Sequence, residues 1–190
     1  MLRGGLHLDN AVDLEDNERV FLADFRDETD VMDRAVAPPG SGWPVVLTNP
    51  SLCDSVEIVE ARVQGFYAAN LLIRGTIPRS LSLCTALVHI NISDNKLHGP
   101  VPDGVGELRQ LRTFVANNNR LTGTVPGAFC HCKALNTLTL AGNQLTGEVP
   151  RELMRLAALR VLDLYDNQLS NVDVTHSLFN TTMKWCRVNF

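Results

Sequence analysis

No stretch of 18 apolar residues occurs in this chain, so none of it reads as a transmembrane helix. Catalytic signatures are missing as well. There is no GxxxxGKS or GxxxxGKT phosphate loop, no HExxH, no GxSxG and no kinase set, which leaves no catalytic residue to name and predicts a non-enzyme without cofactor. Gly40-Ser41-Gly42 lacks the strand and helix of a phosphate cradle and reads as a turn. Basic excess is absent too: 17 Lys and Arg against 21 Asp and Glu give a formal charge of −4, and a chain without a basic stripe is a poor partner for nucleic acid or an anionic membrane. The five cysteines are an odd number, so they cannot all pair. Cys130-His131-Cys132 has no second cluster to complete four ligands, which excludes a zinc site of the usual kind. Asp9 interrupts the N-terminal apolar residues too early for a signal peptide. The expectation is an intracellular chain, or a mature or partial product of a longer gene.

What is present is a period. Val63, Leu87, Leu111, Leu135 and Leu159 are spaced 24 residues apart without an insertion. A repeat of this length marks a solenoid, in which one supersecondary unit stacks on copies of itself. The second unit runs Leu87, Ile90, Ile92, Asn95, Leu97, Gly99, Val101, Pro102. The third runs Leu111, Phe114, Ala116, Asn119, Leu121, Gly123, Val125, Pro126, and the fourth Leu135, Leu138, Leu140, Asn143, Leu145, Gly147, Val149, Pro150.

Each position has a physical task. Ile90 and Ile92 alternate with His89, Asn91 and Ser93, so a short strand points one face inward and the other at solvent. Where the chain leaves the strand, Asn95, Asn119, Asn143 and Asn167 form a ladder whose side chains bond backbone groups that the bend leaves unpaired. Gly75, Gly99, Gly123 and Gly147 let the backbone bend, and Pro78, Pro102, Pro126 and Pro150 keep the return segment from pairing as a regular strand. Leu81, Val105, Phe129 and Leu153, then Cys84, Leu108, Cys132 and Leu156, form the buried side of short helices or helical turns. Cys84 and Cys132, two repeats apart, stand about 10 Å from each other, too far for a bridge. They read as core residues. A bridge from Cys53 to Cys84 remains open.

The pattern LxxLxLxxNxLxGxxP resembles the plant-type leucine-rich repeat, as in receptor-like kinase ectodomains, receptor-like proteins and polygalacturonase inhibitors. The resemblance covers roughly residues 56–178. It implies an α/β solenoid with a parallel sheet on the concave face and short helices or 3-10 turns on the convex face. A cell-surface or extracellular setting is also implied, against the missing leader and odd cysteine count. The terminal units depart from the pattern: Leu71 stands where the first ladder Asn belongs, and Asn171 and Val174 replace Gly and Pro in the fifth. Five repeats span only about 20 Å at about 4.8 Å per strand.

Three regions follow. The resemblance implies that residues 1–55 are an N-terminal cap region, in which the sequence predicts a helix over about 16–28 started by Asp16 or Asn17 and a turn-rich link over 37–44. In that helix Val20, Phe21, Leu22 and Phe25 share one side, while Asp24, Asp27, Glu28 and Asp30 are a solvated face and its end. Residues 56–178 hold the repeats, and 179–190 form a C-terminal cap or truncated end. The triplets at Asn91 and Asn180 fit N-glycosylation, although composition alone makes about two such triplets expected. The outward side of the sheet is the candidate site for a protein or peptide ligand, through Tyr67, His89, Asp94, Arg112, Asn117, Arg160, Asp163, Tyr165 and Asp166, because aromatic and Arg anchors dominate such interfaces. The leading reading is a binding module, a recognition ectodomain or a fragment of one. A sensor of a receptor kinase whose catalytic domain lies outside this chain and an intracellular scaffold are the alternatives.

Overall fold

The computed structural model describes Val20, Ala23, Asp24 and residues 56–59, 62–170 and 185–187. Twelve strands occur among them. In chain order they are β1 (Val56–Val59), β2 (Arg62–Tyr67), β3 (Arg74–Gly75), β4 (His89–Asn91), β5 (Lys96–Pro100), β6 (Thr113–Val115), β7 (Arg120–Thr122), β8 (Thr137–Thr139), β9 (Thr146–Gly147), β10 (Val161–Asp163), β11 (Gln168–Leu169) and β12 (Trp185–Arg187). A seven-stranded sheet runs β1-β2-β4-β6-β8-β10-β12. Its pairing is parallel and in step from β2 onward: Phe66 sits beside Ile90, Ile90 beside Phe114, Phe114 beside Leu138, and Leu138 beside Leu162. The 24-residue period is thus the register of the sheet. It runs one strand further than the repeat pattern, since Leu162 pairs with Cys186 in the same step. At the other edge β1 pairs antiparallel with β2 and closes the sheet with a strand of opposite direction.

The inward residues explain why these three-residue strands persist. Phe66, Ile90, Phe114, Leu138 and Leu162 are 0–2% exposed, and with the residues two positions on they form one continuous core. A repeat of this size cannot bury its apolar face alone; its neighbours do so. Beyond the strands, 3-10 turns at Arg79–Leu83, Asp103–Glu107, Gly127–His131 and Arg151–Arg155 each start after a proline held near φ −65°. They bury Leu81, Val105, Phe129 and Leu153. The Phe129 ring meets Phe114 edge-on at 5.1 Å and 69°, joining the outer layer to the sheet.

Two expectations change. The return segment does pair: β3-β5-β7 and β11-β9 are short parallel ladders, with partners 22 residues apart instead of 24. Each ladder ends before its repeat proline (Pro78, Pro102, Pro126 or Pro150), although Pro100 itself closes β5, so the repeat prolines limit this pairing without preventing it. Ser93, Thr139 and Asp163 are not solvent-facing but 7% exposed each. Ser93 and Asp163 turn to local partners: the Ser93 hydroxyl donates to Asn91 Oδ1, and Asp163 Oδ1 accepts the Tyr165 N–H at 3.1 Å.

In the region expected to form the N-terminal cap, Val20, Ala23 and Asp24 are helical, with Val20 exposed. The remainder of the predicted helix, the 37–44 link, Cys53 and Asn180 lie outside the described residues. Cys84 and Cys132 are buried thiols and Cys130 is a half-buried one. Burial, with the neighbouring Cys130 adding to it and Lys133 opposing, pushes the Cys132 thiol up to about 12. Its Sγ donates to the Val105 carbonyl at 3.1 Å.

Candidate recognition surface

The outward face is held rigid by the asparagine ladder behind its exit edge. Asn119 Oδ1 accepts the Leu97 N–H at 3.0 Å, and its Nδ2 donates to Ile92 O at 3.0 Å, Asn117 O at 3.2 Å and Ala116 O at 3.4 Å. Asn143 repeats this with Leu121 N–H and with Ala116 O, Leu140 O and Ala141 O. Asn167 does so with Leu145 N–H and with Leu140 O, Leu164 O and Tyr165 O. Each side chain therefore serves its own bend and also staples its repeat to the preceding one. The first repeat, which has Leu71 at this position, relies on its neighbour: Asn95 Oδ1 accepts both Leu71 N–H and Ile73 N–H.

One residue before the ladder runs a second row that the motif does not name. Asn70, Asp94, Asn118, Gly142 and Asp166 all have positive φ, between 54° and 65°. Only Gly and the Asx residues take that conformation readily, and only those types occur in the row. Asn118 Nδ2 donates to Asp94 Oδ1 at 2.8 Å, linking two of its members.

These rows divide the nine sequence-predicted residues into three lanes. At the entry rim, before or at the start of each strand, stand His89, Arg112 and Arg160, the first half-buried and the two arginines exposed. In the middle lane Tyr67 is exposed and Asp163 buried. Along the exit rim lie Asp94, Asn117, Tyr165 and Asp166, of which Asn117 is half-buried and uses its Oδ1 to accept the Ala141 N–H at 2.9 Å. The two rims are roughly 15 Å apart at about 3.3 Å per residue, so the nine are a strip and not one cluster. Asn91 is half-buried in β4 and its Oδ1 accepts from Ser93.

The structure brings His89 and Arg112 together in an open cleft of about 570 Å³ with Gln64, Arg109, Gln110 and Ala134. Arg109 was not among the sequence-predicted residues. Its signal is compositional: the segments that enter the strands, 84–88, 108–112, 132–136 and 156–160, contain Arg109, Arg112, Lys133 and Arg160 and no Asp or Glu. Among the described residues no group of three or more His, Cys, Asp or Glu is placed to hold a metal ion, and no helix is long and apolar enough to cross a membrane.

A stack of parallel strands, Asn staples and 3-10 turns defines a leucine-rich repeat solenoid. Sequence models of the leucine rich repeat match residues 109–169 and 86–108. Among solved structures, a chain of the BIR3–SERK2 complex from Arabidopsis thaliana is 30% identical with a TM-score of 0.67, the match covering 80% of this chain and 83% of that one. The BIR2 ectodomain from Arabidopsis thaliana is 26% identical with a TM-score of 0.69 and 83% coverage of both chains. The Arabidopsis receptor kinase HAESA, in complex with the peptide hormone IDA and the co-receptor SERK1, is 28% identical with a TM-score of 0.56 over 61% of this chain and 20% of that one. No curated protein sequence matches the chain. The chain belongs to the plant-type leucine-rich repeat family.

Proposed function

We propose that the outward face of the parallel sheet is a recognition surface for a protein or peptide, in an ectodomain of the receptor type or a fragment of one. The observation that carries this reading is where the exposed aromatics fall among the described residues. Tyr67 and Tyr165 are 37% and 39% exposed, and both stand on this face, in the first and fifth repeats, while no large apolar side chain of the second to fourth repeats is exposed. Rigid amphipathic side chains set in a polar surface are the usual anchors of protein interfaces, and Arg112 and Arg160 add the other favoured type. The similarity to BIR3–SERK2 and HAESA chains, whose structures contain a protein or peptide partner, supports the same reading.

The test is partner capture by the full chain with Arg112→Ala and Tyr165→Ala combined. Loss of capture with an unchanged melting temperature is expected. Retained capture would move the site to the convex side or the cap.

A further inference from the structure

We propose that the cleft at the entry rim docks an acidic segment of a protein partner, with Arg109 and Arg112 as the carboxylate-binding groups. The inference rests on the recognition role proposed above for the sheet face. Two exposed guanidinium groups and the His89 ring line one concavity, and among the described residues no acidic side chain lines it. Both are permanent cations at one opening, and an incoming carboxylate can accept from a guanidinium in the bidentate geometry that suits both groups. Gln64 and Gln110 supply amide donors and acceptors at the same wall, and Val88 and Ala134 supply apolar contact for the methylenes of an acidic side chain.

The rim continues the same sign. Lys133 lies one repeat beyond Arg109, and Arg160 two repeats beyond Arg112, so cationic groups recur over roughly 10 Å of the solenoid axis at about 4.8 Å per strand. That length matches a few residues of chain. A long polyanion fits poorly, because the chain has a formal charge of −4 and the opposite rim carries Asp94 and Asp166. The segregation also orients a ligand: its acidic part faces the strand-entry rim, and the remainder crosses the sheet toward Tyr165.

The experiment uses the full chain labelled with 15N and a peptide of Glu-Gly-Glu repeats with both termini blocked, so that only side-chain carboxylates are offered. The expected result is saturable amide shifts at His89, Arg109, Gln110 and Arg112, none with the Gln-Gly-Gln counterpart, and about tenfold weaker binding in R109E/R112E, where two exposed ion pairs become repulsions. R109Q/R112Q, which removes charge without reversing it, should weaken binding in the same direction and guards against misfolding of the reversed variant. Absence of shifts at about 1 mM peptide overturns the proposal. So does binding of a phosphoserine peptide or phosphatidylserine vesicles in place of the glutamate peptide. Shifts confined to Asn91, Val115, Thr139 and Asp163 would overturn the cleft while leaving the sheet-face reading intact; shifts on the convex turns would overturn both.

Discussion

The ladder makes a quantitative demand at Asn119, a central staple that is as buried as Asn95 and Asn143 beside it. Replacing it with Ala removes four hydrogen bonds, but the four lost partners are not equally stranded. Ile92 O keeps the Asn95 Nδ2 donor at 3.1 Å, Ala116 O keeps Asn143 Nδ2 at 3.0 Å, and Asn117 O keeps the Asp94 N–H at 2.9 Å. Leu97 N–H, in a residue with no exposed surface, has Asn119 Oδ1 as its acceptor. An orphaned buried N–H costs about 1–3 kcal/mol, and losing the second donor at three carbonyls adds about 0.5 kcal/mol each at the low end of the usual net value. Asn119→Ala should therefore destabilise by about 3 kcal/mol. Asn167→Ala, whose side chain is only half-buried at the end of the ladder, should lose about half as much because water can reach the stranded groups.

The assay is urea unfolding of the full chain followed by circular dichroism, with the exposed Gln144→Ala as control. A lowered midpoint at unchanged slope reports lost stability; a lowered slope reports that the repeats no longer unfold together. Asn119→Asp separates the two halves of the staple, since it keeps the acceptor for Leu97 but turns the donor into an oxygen facing three carbonyls. Those carbonyl dipoles raise the folded-state carboxyl above its unfolded value of about 3.9, so the deficit is full at neutral pH and shrinks as pH falls toward that value, where the protonated acid can donate again. If Asn119→Ala costs less than 1 kcal/mol, or no more than the Gln144 control, the reasoning fails: the stack would then be held by apolar packing alone.

Three further outcomes follow from local geometry. Gly142 combines φ +65° with a Cβ position 2.6 Å from Asn118 Oδ1, so Gly142→Ala should cost about 2 kcal/mol or more in thermal unfolding, from left-handed strain plus the clash. Thr139 Oγ1 is buried without a hydrogen-bond partner, and the near-isosteric Thr139→Val should raise stability by about 1 kcal/mol, read from the same melts. The Cys132 thiol, at about 12, stays protonated through pH 8–9. Iodoacetamide there should label Cys130 in the folded chain and spare Cys132 until denaturant is added, as mapped by mass spectrometry.

How much of this could be read beforehand differs by layer, for a physical reason. Inward positions such as Ile90, Phe114 and Leu138 are legible because a 24-residue period and a 2-residue alternation leave few ways to bury them together. The partners of the ladder are not, since they lie 22 and 27 residues away and depend on how one coil is offset against the next. The entry cleft was half legible: His89 follows from the strand alternation and Arg112 from its place just ahead of its strand, whereas Arg109 joins them only through the turn after Leu108. The left-handed row was legible in principle, from the Asn, Asp or Gly before each ladder position. That row also shows why the first repeat differs from the others. With Leu71 in the ladder position, Leu72 takes φ 59° although its branched side chain is ill suited to it, and it remains 45% exposed. The strain is tolerated because Asn95 fixes Leu71 and Ile73 from the next coil. Stability is thus supplied to the first repeat by the second, and the same staple that makes the central face rigid leaves its first edge dependent on a neighbour.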